Sequence, residues 1–279
     1  MSYLFLMAAA AAPKGPKAGI FINNNNVVAS FVVFVVFGFL SFYLVSRARS
    51  GAKMPTIRKI AGLEAIDEAI GRATEMGRPV HISNRTGGIN DAQTFAFWGY
   101  LGYVAKTCAR YDTKLINTVG SYLVQSVNQE IIRSAYLEVG RPDAYNPDDI
   151  RYYTNSQWAF TIAVMGMMER ERPAANLWIG NWLAESMLLA EVGSQTESIQ
   201  IAATYNILQI PFFITTCDFT LIGEELYAAS AYLSKEPRLT GTIVAEDAFK
   251  LLLGALIVVG TVVATVSPKA KWLTNLVNQ

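Results

Sequence analysis

A chain of 279 residues can hold one large domain or two small ones, and its net charge of +1 gives no electrostatic reason to expect nucleic acid as a partner. Cys108 and Cys217 are the two cysteines, too few for a disulfide framework, and the single histidine, His81, excludes the usual four-ligand zinc site. Any bound metal would have to be a hard cation on oxygen ligands, and no metal site and no particular cofactor is read from the residues. Charged residues make up 16% of the chain, against roughly 25% in an average soluble protein. The deficit is uneven: Ala18 to Ser46 and Leu251 to Pro268 carry no charge, whereas the stretch between them has an ordinary share.

Residues 1–25 are expected to be an extracytoplasmic N-terminal segment. Its first twelve, MSYLFLMAAAAA, are apolar and end in small residues like a signal-peptide core, but they lack the basic start such a signal needs. A retained interfacial segment accounts for them equally well. The run Asn23 to Asn26 suits the N-terminal cap of the helix that follows.

Residues 26–46 read as a first transmembrane helix. Val27 to Val45 is free of charge and would span about 28 Å as a helix, close to the hydrocarbon core of a bilayer. Its valines favour strand in water, but in lipid an isolated strand leaves its backbone unsatisfied. Residues 47–59 form a basic juxtamembrane linker with Arg47, Arg49, Lys53, Arg58 and Lys59, against Lys14 and Lys17 before the helix. The positive-inside rule then places the central domain in the cytoplasm and both termini outside the cell membrane.

Residues 60–240 read as one α/β domain. Helical periodicity is expected over Gly62–Gly77, Gln93–Arg110, Ser121–Val139, Ser156–Arg172, Trp182–Val192 and Thr220–Ser234. Strands are expected at Pro79–Ser83, Lys114–Val119, Asn176–Ile179, Ser198–Ala203 and Gln209–Thr215, with Arg141–Tyr153 as a loop. This alternation predicts a mostly parallel, Rossmann-like sheet of about five strands with helices on both faces. The few residues between the last two strands, 204–208, are too short a link for a parallel crossover, so the reading allows an antiparallel strand or one bent element there. Residues 246–267 are a second transmembrane helix, with Glu246 and Asp247 in its first turn and Lys250 at its entrance. Residues 268–279 are a short tail.

Ligands of open α/β sheets bind beyond the carboxyl ends of the strands. The candidate ligand-binding residues there are Ser83, Asn84, Thr86, Gly87, Gly88, Ser121, Asn181, Asn206 and Asp218. Within them SNRTGG, Ser83 to Gly88, has the adjacent glycines and arginine of an anion-holding loop. It matches neither a Walker loop nor a dinucleotide fingerprint, and ordinary caps and turns explain the same residues. His81 reads as a packed strand residue, Cys217 as a small hydrophobe, and Met165, Met167 and Met168 as core. Glu185, Glu224 and Glu225 are placed where they would meet as an acid–base pair, or else lie on solvated helix faces.

The segments HISNRTGG, NTVGS, NLWIGNW and TCDFTLIGEELYAASAYLS resemble a family of prokaryotic membrane proteins built on a domain of unknown function, over about residues 60–237. The resemblance implies a membrane setting and brings no activity, so it assigns no catalytic residue. Two functions stay open. One is a membrane-anchored scaffold that homo-oligomerises, motivated by the apolar stripe FWGYLGY from Phe97 to Tyr103, with a small-ligand crevice at the strand ends. The other is a membrane-tethered enzyme or sensor acting on a small polar or phosphorylated molecule. The partners expected are the lipid bilayer, further copies of the chain and other membrane proteins.

Overall fold

A computed structural model describes residues 24–50, 61–85, 87–234 and 237–266. The chain divides into two compact units, Val45–Val244 and, separately, Met1–Leu44 with Ala245–Gln279.

The larger unit is built on six strands: β1 (Val80–Asn84), β2 (Leu115–Val119), β3 (Ile150–Tyr152), β4 (Ala175–Ile179), β5 (Ile199–Thr204) and β6 (Phe219–Ile222). They pair in the order β3-β2-β1-β4-β5-β6, and every pairing is parallel. Helix α2 (Ala61–Met76) precedes β1, and α3 (Ala92–Tyr111), α4 (Tyr122–Val139), α5 (Gln157–Glu171), α6 (Glu185–Gln195), α7 (Ile210–Thr216) and α8 (Glu224–Ser234) connect or follow the strands. The order reverses between β1 and β4, the arrangement of a doubly wound, Rossmann-like sheet.

Both faces of the sheet are covered, so strand side chains are buried whichever way they point. On one face Ile82, Leu115, Leu177 and Ile201 pack with Ile66 and Ile70 of α2, Phe97 and Leu101 of α3, Ile132 of α4 and Leu226 of α8. On the other Ile116, Trp178 and Ala202 pack with Phe160 and Met167 of α5, Leu189 of α6 and Phe213 of α7. Met165 packs against this second core, which also holds Met168, so the methionine run is core as read.

The structure corrects the sequence reading along the second half of the sheet. Gln209–Thr215, expected as a strand, is helix α7, with Pro211 in its first turn where its missing N–H costs nothing. A short apolar run such as IPFFI has no periodicity to separate helix from strand. The next strand is β6, taken in the sequence as the start of a helix; that helix begins only at Glu224, after Gly223 at φ +60. With α7 as the crossover between β5 and β6, the antiparallel alternative disappears. Residues 150–152, expected within a loop, form the edge strand β3, too short to show alternation. The sheet therefore has six strands, not about five.

The smaller unit contains most of α1 (Asn24–Arg49) and most of α9 (Pro237–Val266). The rings of Phe37 and Phe249 meet edge to face at 4.8 Å, and Lys250 pairs with Glu246 at 3.1 Å. Among the described residues no helix is long and apolar enough to cross a membrane. The expected signal-like segment lies outside the described residues, as does Asn23 of the proposed cap.

A Cβ added at Gly193 of α6 would overlap the carboxamide of Gln200. Gln200 has no room to move: it accepts from Trp178 Nε1 at 3.1 Å and donates to Ala190 O at 2.7 Å. Gly193→Ala is expected to lower stability by about 1–3 kcal/mol through overpacking, read as a lower urea midpoint; an unchanged midpoint contradicts this packing.

Candidate functional site: the switch-point crevice

All six strands end at one edge of the sheet, and the loops leaving β1 and β4 diverge there to opposite faces, toward α3 and α6. A buried ion pair holds them together. Arg85 Nη1, one residue beyond β1, lies 3.2 Å from Glu185 Oε1 at the start of α6, with side chains 8% and 0% exposed. Glu185 also accepts from Leu183 N at 3.2 Å and from Gln157 Nε2 of α5, while Arg85 Nη2 donates to Asn155 O at 3.4 Å. Glu185 thus sits in the first turn of its own helix, where the dipole favours a carboxylate, and one arginine links the exit of β1 to the starts of α5 and α6.

The SNRTGG loop folds back on itself. Asp91 caps α3 by accepting from Gln93 N at 3.0 Å. Gly87 adopts φ +115, and a Cβ there would stand 2.8 Å from Asp91 Oδ2 and 2.6 Å from Thr94 Oγ1. The glycine is therefore required by the helix cap. Gly88 has open space around it. Gly120, just past β2, would bring a Cβ to 2.5 Å from Arg85 O, so the loops after β1 and β2 touch.

Four buried side chains among the described residues hold polar atoms with no hydrogen-bond partner: Asn84, Thr94, Trp182 and Ser230. Such groups are rare in folded proteins. The first three lie on or beside the β1 and β4 exits. Asn84 closes β1, 3% exposed, with both Oδ1 and Nδ2 unpaired. Its Oδ1 lies 3.0 Å from where a Cβ of Gly180 would stand, which brings the amide against the first residue past β4. Trp182, fully buried, packs edge to face on Trp178 at 5.5 Å and on Phe213 at 6.5 Å while its indole N–H stays unpaired.

The structure thus brings together several of the candidate residues. Asn181 follows β4 beside Trp182, and Asn206, after β5, donates to Trp182 O at 2.7 Å. Asn206 is also a turn residue, accepting from Leu208 N at 3.1 Å. Ser121 follows β2 and stands at the start of α4 without a side-chain capping bond. Ser83 is spent inside the sheet, its Oγ 3.1 Å from Thr118 O and 2.8 Å from Thr118 Oγ1. Thr86 lies outside the described residues. Asp218 is at the opposite edge: it precedes β6, and its Oδ2 accepts from Gln200 N at 2.8 Å near the start of β5. Its placement in the crevice followed from reading α7 as a strand. The sequence does not single out Thr94 and Trp182 as site residues, since burial without a partner leaves no mark in it.

The other titratable groups are committed elsewhere. Ser198 Oγ donates to Gly193 O and so accepts from Asn176 Nδ2 at 2.6 Å, which turns Asn176 Oδ1 to His81. His81 Nδ1–H then donates to Asn176 Oδ1 at 2.8 Å, and Nε2 accepts from Thr118 Oγ1 at 2.8 Å. Burial holds the imidazole neutral, lowering its pKa from 6.5 to about 4. Burial pushes the Cys217 thiol up to about 12, the wrong direction for a nucleophile. Glu225 accepts from Ile222 N at 3.4 Å, and Glu224 is exposed. Among the described residues no cluster of three or more His, Cys, Asp or Glu is placed to hold a metal. A cavity of about 250 Å³ opens at the other edge of the sheet, lined by Cys108, Lys114, Tyr136, Tyr145 and Asp149. Within its lining Lys114 lies 3.3 Å from Asp149.

The family model for a domain of unknown function, DUF6754, matches residues 17–276. The chain belongs to this family. No curated protein and no solved structure matches it.

Two outcomes follow. Arg85→Met leaves Glu185 buried without its partner and should cost about 3–5 kcal/mol, and adding Glu185→Gln should recover much of it. Urea unfolding of both variants checks this; a mild single variant contradicts the buried pair. For His81 the folded pKa lies below the unfolded one, so its neutral form supports folding above pH 6.5 and that support is lost as pH falls toward about 4. The loss amounts to roughly 3 kcal/mol, and His81→Leu should flatten the fall over that window while lowering stability at neutral pH.

Proposed function

We propose that this DUF6754 protein is a membrane-anchored, Rossmann-like scaffold that associates with further copies of itself and carries a small-ligand crevice at its switch point. The observation that carries the reading is apolar surface that water does not tolerate. In α1, Phe34, Phe39 and Phe42 are more than 70% exposed, and in α9 Leu251 is 76% and Ile257 65% exposed. Residues apolar all round a long helix belong in lipid or in a core. The family model extends from residue 17 to 276, so both apolar helices are part of the shared unit. The basic run Arg47, Arg49, Lys53, Arg58 and Lys59 supports a cytoplasmic domain, and a prokaryotic cell membrane is part of the proposal.

Self-association rests on a different face from the one the sequence suggested. In the stripe FWGYLGY, Phe97, Tyr100 and Leu101 are buried against the sheet, Trp98 donates to Asn128 Oδ1 at 3.0 Å, and Tyr103 donates to Asp67 at 2.6 Å. Exposed apolar residues gather on the outside of the opposite layer, where α5 packs on α6 and α6 on α7. Ile162 is 70%, Met187 53%, Ile207 76% and Leu208 75% exposed, and no charged residue occurs from Ser198 to Cys217. A patch of this kind suits a partner surface of the same chemistry. The pairing of Arg85 with Glu185, the neutral buried His81 and the raised Cys217 pKa support binding over catalysis in the crevice.

The full chain should remain with membranes after alkaline carbonate extraction and, in mild detergent, run as a defined oligomer by light scattering. Ile207→Lys with Leu208→Lys should reduce the subunit number with the fold intact. Release by carbonate overturns the anchor; an unchanged oligomer in the double variant overturns the interface.

A further inference from the structure

We infer that the switch-point crevice takes a neutral molecule through a planar edge bearing a hydrogen-bond donor beside an acceptor, the edge of a carboxamide or of a nucleobase, and that it does not take an anion. The inference rests on the crevice being a binding site and names what that site reads.

Asn84 sets the requirement. A carboxamide offers N–H donors and a carbonyl acceptor side by side in one plane. Here both ends are unpaired at 3% exposure. A ligand with acceptors alone, such as a carboxylate, would satisfy Nδ2 and set its own oxygen against Oδ1. Only a ligand edge that both donates and accepts pairs both ends, as asparagine does with adenine in nucleic-acid readout. Thr94 Oγ1, beside Gly87 at the start of α3, is a further unpaired group and can serve either way.

Charge points the same way. The arginine of the loop is neutralised by Glu185 at 3.2 Å. The N-terminus of α3, where an anion would sit in a doubly wound fold, is filled by the Asp91 carboxylate accepting from Gln93 N. Gly87 packs on that carboxylate and on Thr94. An incoming anion would meet a resident one. Gly180, at φ +120, keeps clear the space beside the Asn84 amide that any side chain would crowd.

The test uses the full chain in detergent with ¹⁵N-labelled tryptophan indoles, the Trp182 resonance being the one lost in Trp182→Phe. Adenosine, nicotinamide, inorganic phosphate and pyrophosphate are titrated separately to about 10 mM. Adenosine or nicotinamide should shift the Trp182 indole resonance saturably, and Asn84→Leu should weaken that binding by about ten-fold or more. The responding compound distinguishes a nucleobase from a simple carboxamide. Saturation by phosphate or pyrophosphate, retained in Asn84→Leu, overturns the neutral class and leaves the crevice standing as a site. A resonance that none of the four moves overturns the crevice as well. A second measurement is independent of any ligand: because the Asn84 amide is unpaired, Asn84→Leu should leave Tm unchanged or raise it. A markedly lower Tm means the amide is satisfied within the fold and overturns the assignment.

Discussion

A sheet covered on both faces gives its polar residues no access to water, so each must find its partners inside the protein. This chain places many such residues in its strands, and pairing them fixes much of the architecture. His81, Thr118, Ser83, Asn176 and Ser198 form one hydrogen-bonded seam across β1, β2 and β4 to the loop before β5. On the other face Asn117 donates to Ile82 O and accepts from Asn128, which accepts from Trp98, so the seam there reaches through α4 to α3. Gln200 ties β5 to Trp178 and to α6. A strand shifted by one residue would break these bonds as well as exchange the two cores, and register is therefore doubly specified.

Against this background the unpaired groups at the β1 and β4 exits acquire meaning. The same chain that satisfies a buried histidine on both nitrogens leaves Asn84, three residues before the first SNRTGG glycine, unpaired at both ends. The Arg85–Glu185 pair closes the crevice floor without leaving a net charge there.

Much of this fold was legible in the sequence. Strands β1, β2, β4 and β5 announced themselves as short apolar runs between periodic helices, and Gly140 and Arg172 ended α4 and α5 near where Pro142 and Pro173 suggested. The failures share one cause. Around IPFFI and DFTLI the runs are too short for either period to show, so a helix was taken for a strand and a strand for a helix, and Asp218 was carried to the wrong edge. The stripe FWGYLGY looked too apolar for a solvated face because α3 is buried against the sheet and packs on both α4 and α8. The glycines of SNRTGG looked like an anion loop, but Gly87 serves the cap of α3. What the sequence could not display was an absence: nothing in its letters says that Asn84 has no partner while Asn117 and Asn176 have theirs.

The most direct test of the account is a high-resolution structure of the full chain purified from its own cells with no compound added. The account predicts non-protein density larger than a water molecule within hydrogen-bonding distance of the Asn84 amide. Asn84 and Trp182 both bonded to protein atoms, or only to isolated waters, would contradict it.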